Sequence, residues 1–155
     1  MKFEKLAVCT NGFSKKILPE FDVEPARAQV IVTSEIPDLK MKGTFHFDEG
    51  FYYFRNIGNR ILCGGGRNLD FDRERTTTME NTEKITSHLE NLLRTKIAPY
   101  SNLTIEHKWA GTMGVGKTKT PILKKVNDNV YCGIRLGGMG VAIGSATGNE
   151  LANLI

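Results

Sequence analysis

The chain has 155 residues, a net charge of +4 and 40% hydrophobic residues, which suits one domain with a hydrophobic core. The basic residues are scattered, so the charge indicates a solvated surface and no nucleic-acid partner. No apolar stretch approaches the roughly 18 residues of a membrane span, and the N-terminus lacks a signal-peptide core, so we expect a cytoplasmic protein. The three cysteines lie in apolar runs, which predicts buried, reduced thiols.

The first half of the chain indicates several strands. Residues Lys5–Thr10 form a short apolar run that ends at the turn Asn11-Gly12, and Ala26–Thr33 predicts a second strand. Two β-rich runs, Phe51–Phe54 and Arg60–Cys63, predict a hairpin because the segment between them contains glycine.

The second half predicts two helices and two further strands. Thr77-Thr78-Met79-Glu80 has the spacing of a capping box, and an apolar stripe follows it at Ile85, Leu89, Leu92, Leu93 and Ile97. Leu103–Ala110 and Asn129–Ile134 predict strands, and Val141–Leu154 predicts the last helix. This order favours an α+β fold in which a helix covers a mainly antiparallel mixed sheet.

Residues 111–118 read GTMGVGKT, a full match to the phosphate-binding P-loop pattern. A P-loop needs a helix that begins at its Lys-Thr, but Thr120-Pro121 and the turn at Asn127 leave little room for one. We therefore expect a glycine-rich loop between two strands.

A second glycine run, from Gly133 to Gly148, follows a strand and enters the last helix. Gly140, Gly144 and Gly148 share one helical face, where either a closely packed element or a flat ligand could lie. In the ligand interpretation, a polar edge meets the backbone N–H groups of Gly137–Gly140 at the helix N-terminus.

These features, in this order, resemble the C-terminal part of FAD-dependent oxidoreductases of the D-amino-acid oxidase and glycine oxidase (DAO) type. Residues 7–12 (AVCTNG) are similar to the strand and turn that close the flavin-binding domain, and residues 25–30 (PARAQV) to the strand that enters the substrate domain. Residues 52–64 resemble the family hairpin, and Trp109-Ala110-Gly111 the strand that returns toward the flavin. Residues 119–122 (KTPI) resemble the following turn, and residues 137–155 the terminal glycine loop and helix beside the flavin ring.

The resemblance implies that residues 1–24 end a FAD-binding domain, 25–108 form the substrate-binding domain, and 109–155 return to the FAD-binding domain. Such enzymes oxidise a small amine, amino-acid or hydroxy-acid substrate by hydride transfer to flavin N5. The family's ADP-binding Gly-x-Gly-x-x-Gly is absent from this sequence. We therefore expect a C-terminal portion that is inactive alone, and whose partner is the missing N-terminal FAD-binding region or a partner subunit. FAD is expected to bind non-covalently.

The resemblance also implies site residues. Those expected at the flavin are Thr10, Asn11, Gly12, Gly111, Gly137, Gly138, Met139, Gly140 and Val141. Tyr52 matches a substrate-facing tyrosine, although packing on the sheet explains it equally well. Met113 stands where the family carries a carboxylate-binding arginine, and a thioether cannot form that ion pair.

Several alternatives stay open at this stage. Arg55, Arg67, Arg135 or Lys117 could bind a substrate anion in place of the missing arginine. The three histidines match no metal spacing, so no metal site is predicted. The function alternatives are a non-catalytic truncated module that pairs with a flavoprotein subunit, and a P-loop nucleotide binder.

Overall fold

The computed structural model of the chain describes residues 2–99 and 102–155. Eight strands are described, with β1 at Leu6–Val8, β2 at Glu24–Thr33, β3 at Thr44–Phe47, β4 at Tyr52–Ile57, β5 at Arg60–Gly65, β6 at Ile105–Val115, β7 at Ile122–Asn127 and β8 at Val130–Ile134. Two α-helices are described, α1 at Glu83–Leu92 and α2 at Gly140–Leu154. Short 3-10 helices occupy Asn11–Lys16 and Arg67–Leu69, and a π-helical turn, Leu93–Ile97, continues α1.

The chain divides into two compact units. The three-stranded unit comprises residues up to Ala26, Arg75–Thr77 and Thr112–Ile155. The five-stranded unit comprises Arg27–Glu74 and Thr78–Gly111. The chain passes from one unit to the other within β2, on either side of Arg75–Thr77, and within β6.

The five-stranded unit is a sheet covered on one face by α1. Its strand order is β3-β4-β5-β2-β6, and the β3/β4, β4/β5 and β5/β2 pairs are antiparallel. The apolar stripe of α1 packs on alternate residues of the strands, and the resulting core includes Ile31, Ile61, Cys63, Ile85 and Leu89. This agrees with the predicted α+β fold and its covering helix.

The three-stranded unit has the order β1-β8-β7, with β1 parallel and β7 antiparallel to β8. Its core is small and includes Val8, Leu18, Val23, Cys132 and Ile134. The helix α2 follows β8 and buries only Leu151 among the residues that the structure describes.

Four local expectations were wrong. The helix α1 begins at Glu83 with Thr82 as its N-cap and no side-chain cap bond within the described chain, so Thr77–Glu80 is not its capping box. The sequence analysis missed β3 and β7, which are short and pair at sheet edges. Cys63 and Cys132 are buried as expected, but Cys9 is exposed.

Candidate functional site

Three segments that are distant in sequence meet in the three-stranded unit. They are the turn at Asn11-Gly12, the end of β6 at Met113–Val115, and the glycine loop, which we define as Leu136–Met139. The N–H of Leu136 donates to Asn11 Oδ1 at 3.0 Å, and the N–H of Gly137 donates to the carbonyl of Gly114 at 2.9 Å. The glycine loop is therefore bonded to both other segments.

Glycine is required where these segments approach each other. A Cβ atom on Gly12 would lie 2.3 Å from the carbonyl oxygen of Met113, and one on Gly114 would lie 2.5 Å from Asn11 Oδ1. Both distances are below any real carbon contact, so each segment needs glycine to pack against the next. The glycine loop itself contains Gly137 at φ +57°, a left-handed conformation that suits glycine.

Beyond these contacts, the glycine loop and the start of α2 lie open. A Cβ on Gly137 would meet nothing within 4 Å, and one on Gly138 would meet only Met113 Sδ at 3.8 Å. Met139 is exposed and Val141 is fully exposed. No side chain of the described chain caps the first turn of α2, and the N–H groups of Ala142 and Ile143 donate to the carbonyl of Met139. The N–H groups of Gly140 and Val141 form no hydrogen bond within the described residues and remain available as donors.

One buried polar atom at the site also lacks a partner. Thr112 Oγ1 makes no hydrogen bond to any described residue, and Thr112 Cγ2 lies 2.8 Å from the Cβ position built on Gly12. Buried hydroxyl groups are normally satisfied, so this one is open to a partner outside the described residues. Taken together, the arrangement can hold a flat group whose edge accepts hydrogen bonds.

The P-loop-like motif does not form a phosphate site. Gly116–Thr120 lies between β6 and β7, and no helix begins at Lys117-Thr118. The N–H of Lys117 donates instead to the carboxylate of Asp22 at 2.9 Å. A nucleotide-binding function therefore gains no support, in agreement with the sequence argument.

Two predicted site residues lie in the five-stranded unit. Gly111 lies within β6, and a Cβ there would meet nothing within 4 Å. Tyr52 is only 3% exposed, belongs to the helix-covered core, and stacks on His88 with ring centroids 5.4 Å apart. Burial raises the pKa of its hydroxyl above the ordinary value. These contacts fit the packing interpretation of Tyr52, and its contact with a substrate stays a prediction.

The neighbouring Tyr53 occupies the opposite face of the sheet. Its ring lies against Gly64, where a Cβ would approach the Tyr53 hydroxyl to 2.6 Å. His46 pairs with Tyr53 in the strand register, and Arg55 lies two residues further along β4, so all three share this face. The hairpin sequence alone did not indicate which tyrosine lies under the helix.

The four candidate anion-binding residues differ in their surroundings. Arg135 is committed to internal hydrogen bonds with Asp22, Thr118 and Thr120. Arg67 lies over the Phe71 ring at 5.0 Å, and burial lowers its pKa. Arg55 and Lys117 have exposed side chains on the strand β4 and in the β6–β7 loop, respectively.

Comparisons with known proteins identify the family. A family model for FAD dependent oxidoreductase (DAO) matches residues 2–154. The chain belongs to this family. A search among curated proteins found no match.

Solved structures show the same fold. Glycine oxidase from Bacillus cereus matches 99% of this chain with a TM-score of 0.80 at 15% identity. Iminodiacetate oxidase from Chelativorans matches 98% of this chain with a TM-score of 0.77 at 19% identity. L-proline dehydrogenase from P. horikoshii matches 97% of this chain with a TM-score of 0.75 at 19% identity. The chain spans 43%, 42% and 42% of the lengths of these proteins, in the same order.

No helix among the described residues is long and apolar enough to cross a membrane.

Proposed function

We propose that this chain supplies the substrate-domain sheet and the flavin-facing glycine loop of a FAD-dependent oxidoreductase. In this proposal residues 25–108 form the substrate-binding domain, and residues 1–24 and 109–155 belong to the FAD-binding domain. The whole protein oxidises a small amine, amino acid or hydroxy acid by hydride transfer to flavin N5. The observation that carries the proposal is the glycine loop, which is held by Asn11 and Gly114 and is open beyond them.

The residues present fit the flavin ring. The open glycines of the loop and the uncapped N–H groups of α2 suit the hydrogen-bond acceptors on the ring edge, and Thr112 Oγ1 needs a partner. We propose that Thr10, Asn11, Gly12, Gly111, Gly137, Gly138, Met139, Gly140 and Val141 form this binding surface. When bound, FAD supplies the electron acceptor, and the protein orients the substrate against it and excludes water.

Within the five-stranded unit we keep Tyr52 as the proposed substrate-contacting residue, as the family hairpin implies, and Tyr53 on the opposite face of the sheet is the alternative. Tyr53 packs against Val30, Val32 and Leu62, whereas Arg55 on the same face is exposed and can bind a carboxylate. By the resemblance, Met113 stands where the family carries its carboxylate-binding arginine, and a thioether cannot form that ion pair. Met113 itself is expected to contact the substrate through its thioether.

The chain lacks the ADP-binding motif, so it should recognise the ring end of FAD only. We expect riboflavin and FAD to bind with similar weak affinity and ADP not to bind. Amide NMR titration of the full chain would detect this as shifts at Asn11, Gly12 and Gly137–Val141 with the first two ligands. A Gly138→Val variant, which fills the open space above the loop, should lose the shifts, whereas Gly148→Ala should retain them.

Two outcomes would contradict the proposal. One is a chain whose glycine-loop amides do not respond to riboflavin up to its solubility limit. The other is tight ATP binding that is lost in Lys117→Ala, which would restore the P-loop alternative. A flavin-containing partner that co-purifies with the chain from its native source, in a complex without oxidase or dehydrogenase activity, would favour the non-catalytic module.

A further inference from the structure

Arg135 has an unusual backbone conformation at the junction between β8 and the glycine loop. Its φ is +61°, in the left-handed region that residues other than glycine rarely adopt. Such strain persists only where surrounding contacts impose it. The side chain of Arg135 is only 10% exposed, so the contacts of its buried guanidinium are among those that can hold this conformation.

The guanidinium makes four hydrogen bonds within the three-stranded unit. Arg135 Nε donates to the carbonyl of Thr120 at 2.9 Å, and Nη2 donates to Thr118 Oγ1 at 2.9 Å. Nη1 donates to the carbonyl of Asp22 at 3.0 Å and to its carboxylate at 2.7 Å. These acceptors lie at fixed points around a planar fork, a geometry that lysine cannot reproduce.

The P-loop-like motif is shaped around this arginine. A Cβ on Gly116 would lie 2.6 Å from Arg135 Cδ and 2.6 Å from the carbonyl oxygen of Asp22. The N–H of Lys117 donates to the same Asp22 carboxylate. The Gly-Lys-Thr sequence therefore encloses an internal ion pair between Asp22 and Arg135. We call these contacts the arginine clamp.

In the sequence, Arg135 directly precedes the two residues whose hydrogen bonds hold the glycine loop. Leu136 and Gly137 follow Arg135, and their N–H groups bind Asn11 Oδ1 and the carbonyl of Gly114. If the backbone of Arg135 leaves the left-handed region, the chain direction changes and both N–H groups point elsewhere. The clamp and the loop bonds are therefore coupled through one residue.

We propose that Arg135 is a positioning residue that sets the glycine loop, and with it the first turn of α2, in the conformation that meets the flavin ring. Asp22 and the Gly116–Thr120 segment form the other half of the clamp. The proposal rests on the proposed flavin-binding function. Arg135 acts through the loop and does not itself serve as the substrate-binding arginine.

Two substitutions in the full chain test this role. Arg135→Lys keeps the charge but loses the fork, and Arg135→Gly removes the clamp while accommodating the left-handed backbone. In both we expect hydrogen exchange of the Leu136 and Gly137 amides to rise by about tenfold or more, as charge-assisted bonds are lost. The amides of α1, in the other unit, should exchange as in the wild type and report that the chain is folded.

The matched control is Arg94→Lys, which alters an exposed arginine paired with Glu90 on α1. It should leave the glycine-loop amides unchanged. Unchanged exchange of Leu136 and Gly137 in both Arg135 variants would overturn the proposal. Should Arg135→Gly unfold the three-stranded unit, the Arg135→Lys variant decides the question alone.

The riboflavin titration separates this proposal from the function on which it rests. We expect the riboflavin-induced shifts at Gly137–Val141 to weaken in Arg135→Lys, which a purely structural stabiliser distant from the loop would not cause. If riboflavin binds the Arg135 variants as it binds the wild type, the positioning role is wrong and the flavin function stands. If riboflavin does not bind the wild type, the flavin function fails, and exchange alone decides whether the clamp holds the loop.

Discussion

The two α-helices of this chain differ in how much of their surface the chain itself covers. The helix α1 has 10 residues and buries Ile85, Thr86, Leu89 and Leu92 against the five-stranded sheet. The helix α2 has 15 residues but buries only Leu151 among the described residues. The difference shows that the five-stranded unit covers one face of its helix within the chain, whereas most of the α2 surface stays exposed.

The largest effect should come from the buried ion pair of the five-stranded unit. Arg27 donates to both carboxylate oxygens of Glu74, at 2.9 and 2.6 Å, and Gln29 adds a third bond. The Glu74 hydrogen bond raises the pKa of Arg27, which stays charged. Glu74→Gln should cost about 3–5 kcal/mol of unfolding free energy, because it leaves a buried cation unpaired. Urea denaturation measures this.

The control for that prediction is Glu90→Gln, which breaks an exposed pair with Arg94. It should cost only about 0.3–0.5 kcal/mol. Equal losses in the two variants would mean that the Arg27–Glu74 pair is not desolvated in solution.

A second contrast compares one side chain from each helix. Leu89 is completely buried on α1, so Leu89→Ala should cost about 2–5 kcal/mol. Val141 is fully exposed on α2, so Val141→Ala should change stability by less than about 0.5 kcal/mol. Denaturant midpoints of the two variants test this. A large loss for Val141→Ala would show that the chain covers α2 after all.

A third prediction concerns the close approach within the three-stranded unit. Gly12→Ala places a Cβ 2.3 Å from the Met113 carbonyl oxygen, so backbone must move. We expect a loss of about 1–3 kcal/mol, as for other overpacked sites, measured by thermal unfolding. If the variant melts like the wild type, the Asn11-Gly12 turn does not pack on β6 in solution.

A smaller effect of opposite sign is expected on α2. Gly144 lies within this helix, and a Cβ there would meet nothing within 4 Å. Gly144→Ala should therefore stabilise the chain by about 1 kcal/mol through helix propensity. A destabilised variant, detected by the same thermal unfolding measurement, would indicate that something already packs closely on this face.

The smallest effect at neutral pH concerns the thiols. Burial raises the pKa of Cys63 from 9.0 to about 12, so the folded state holds a proton that the unfolded state loses. The contribution of Cys63 to stability is therefore complete below pH 9.0 and is lost as the pH rises toward about 12.

At neutral pH a thiol reagent should modify the exposed Cys9 quickly and Cys63 only after unfolding. Equal rates would contradict the burial of Cys63.

Periodicity predicted the elements whose pattern is local. The hairpin β4–β5, the strand β2, the apolar stripe of α1 and the last helix were all predicted within a few residues. The short edge strands β3 and β7 were missed, because edge strands bury little and carry a weak alternation. The capping box at Thr77 was misassigned, because the helix start is set by where Thr82 bonds to Gln29 in the folded unit.

The sequence by itself determined the α+β fold, because hydrophobic spacing indicates its strands and helices. The order of its short motifs also carries the resemblance to FAD-dependent oxidoreductases. Only the tertiary structure decided that Tyr52 lies under α1 and Tyr53 on the other face, because strand alternation separates two residues without saying which face a helix covers. The tertiary structure also showed which groups the GTMGVGKT segment contacts. Asp22, far away in sequence, provides the carboxylate that this glycine-rich loop binds, together with Arg135, in place of a phosphate.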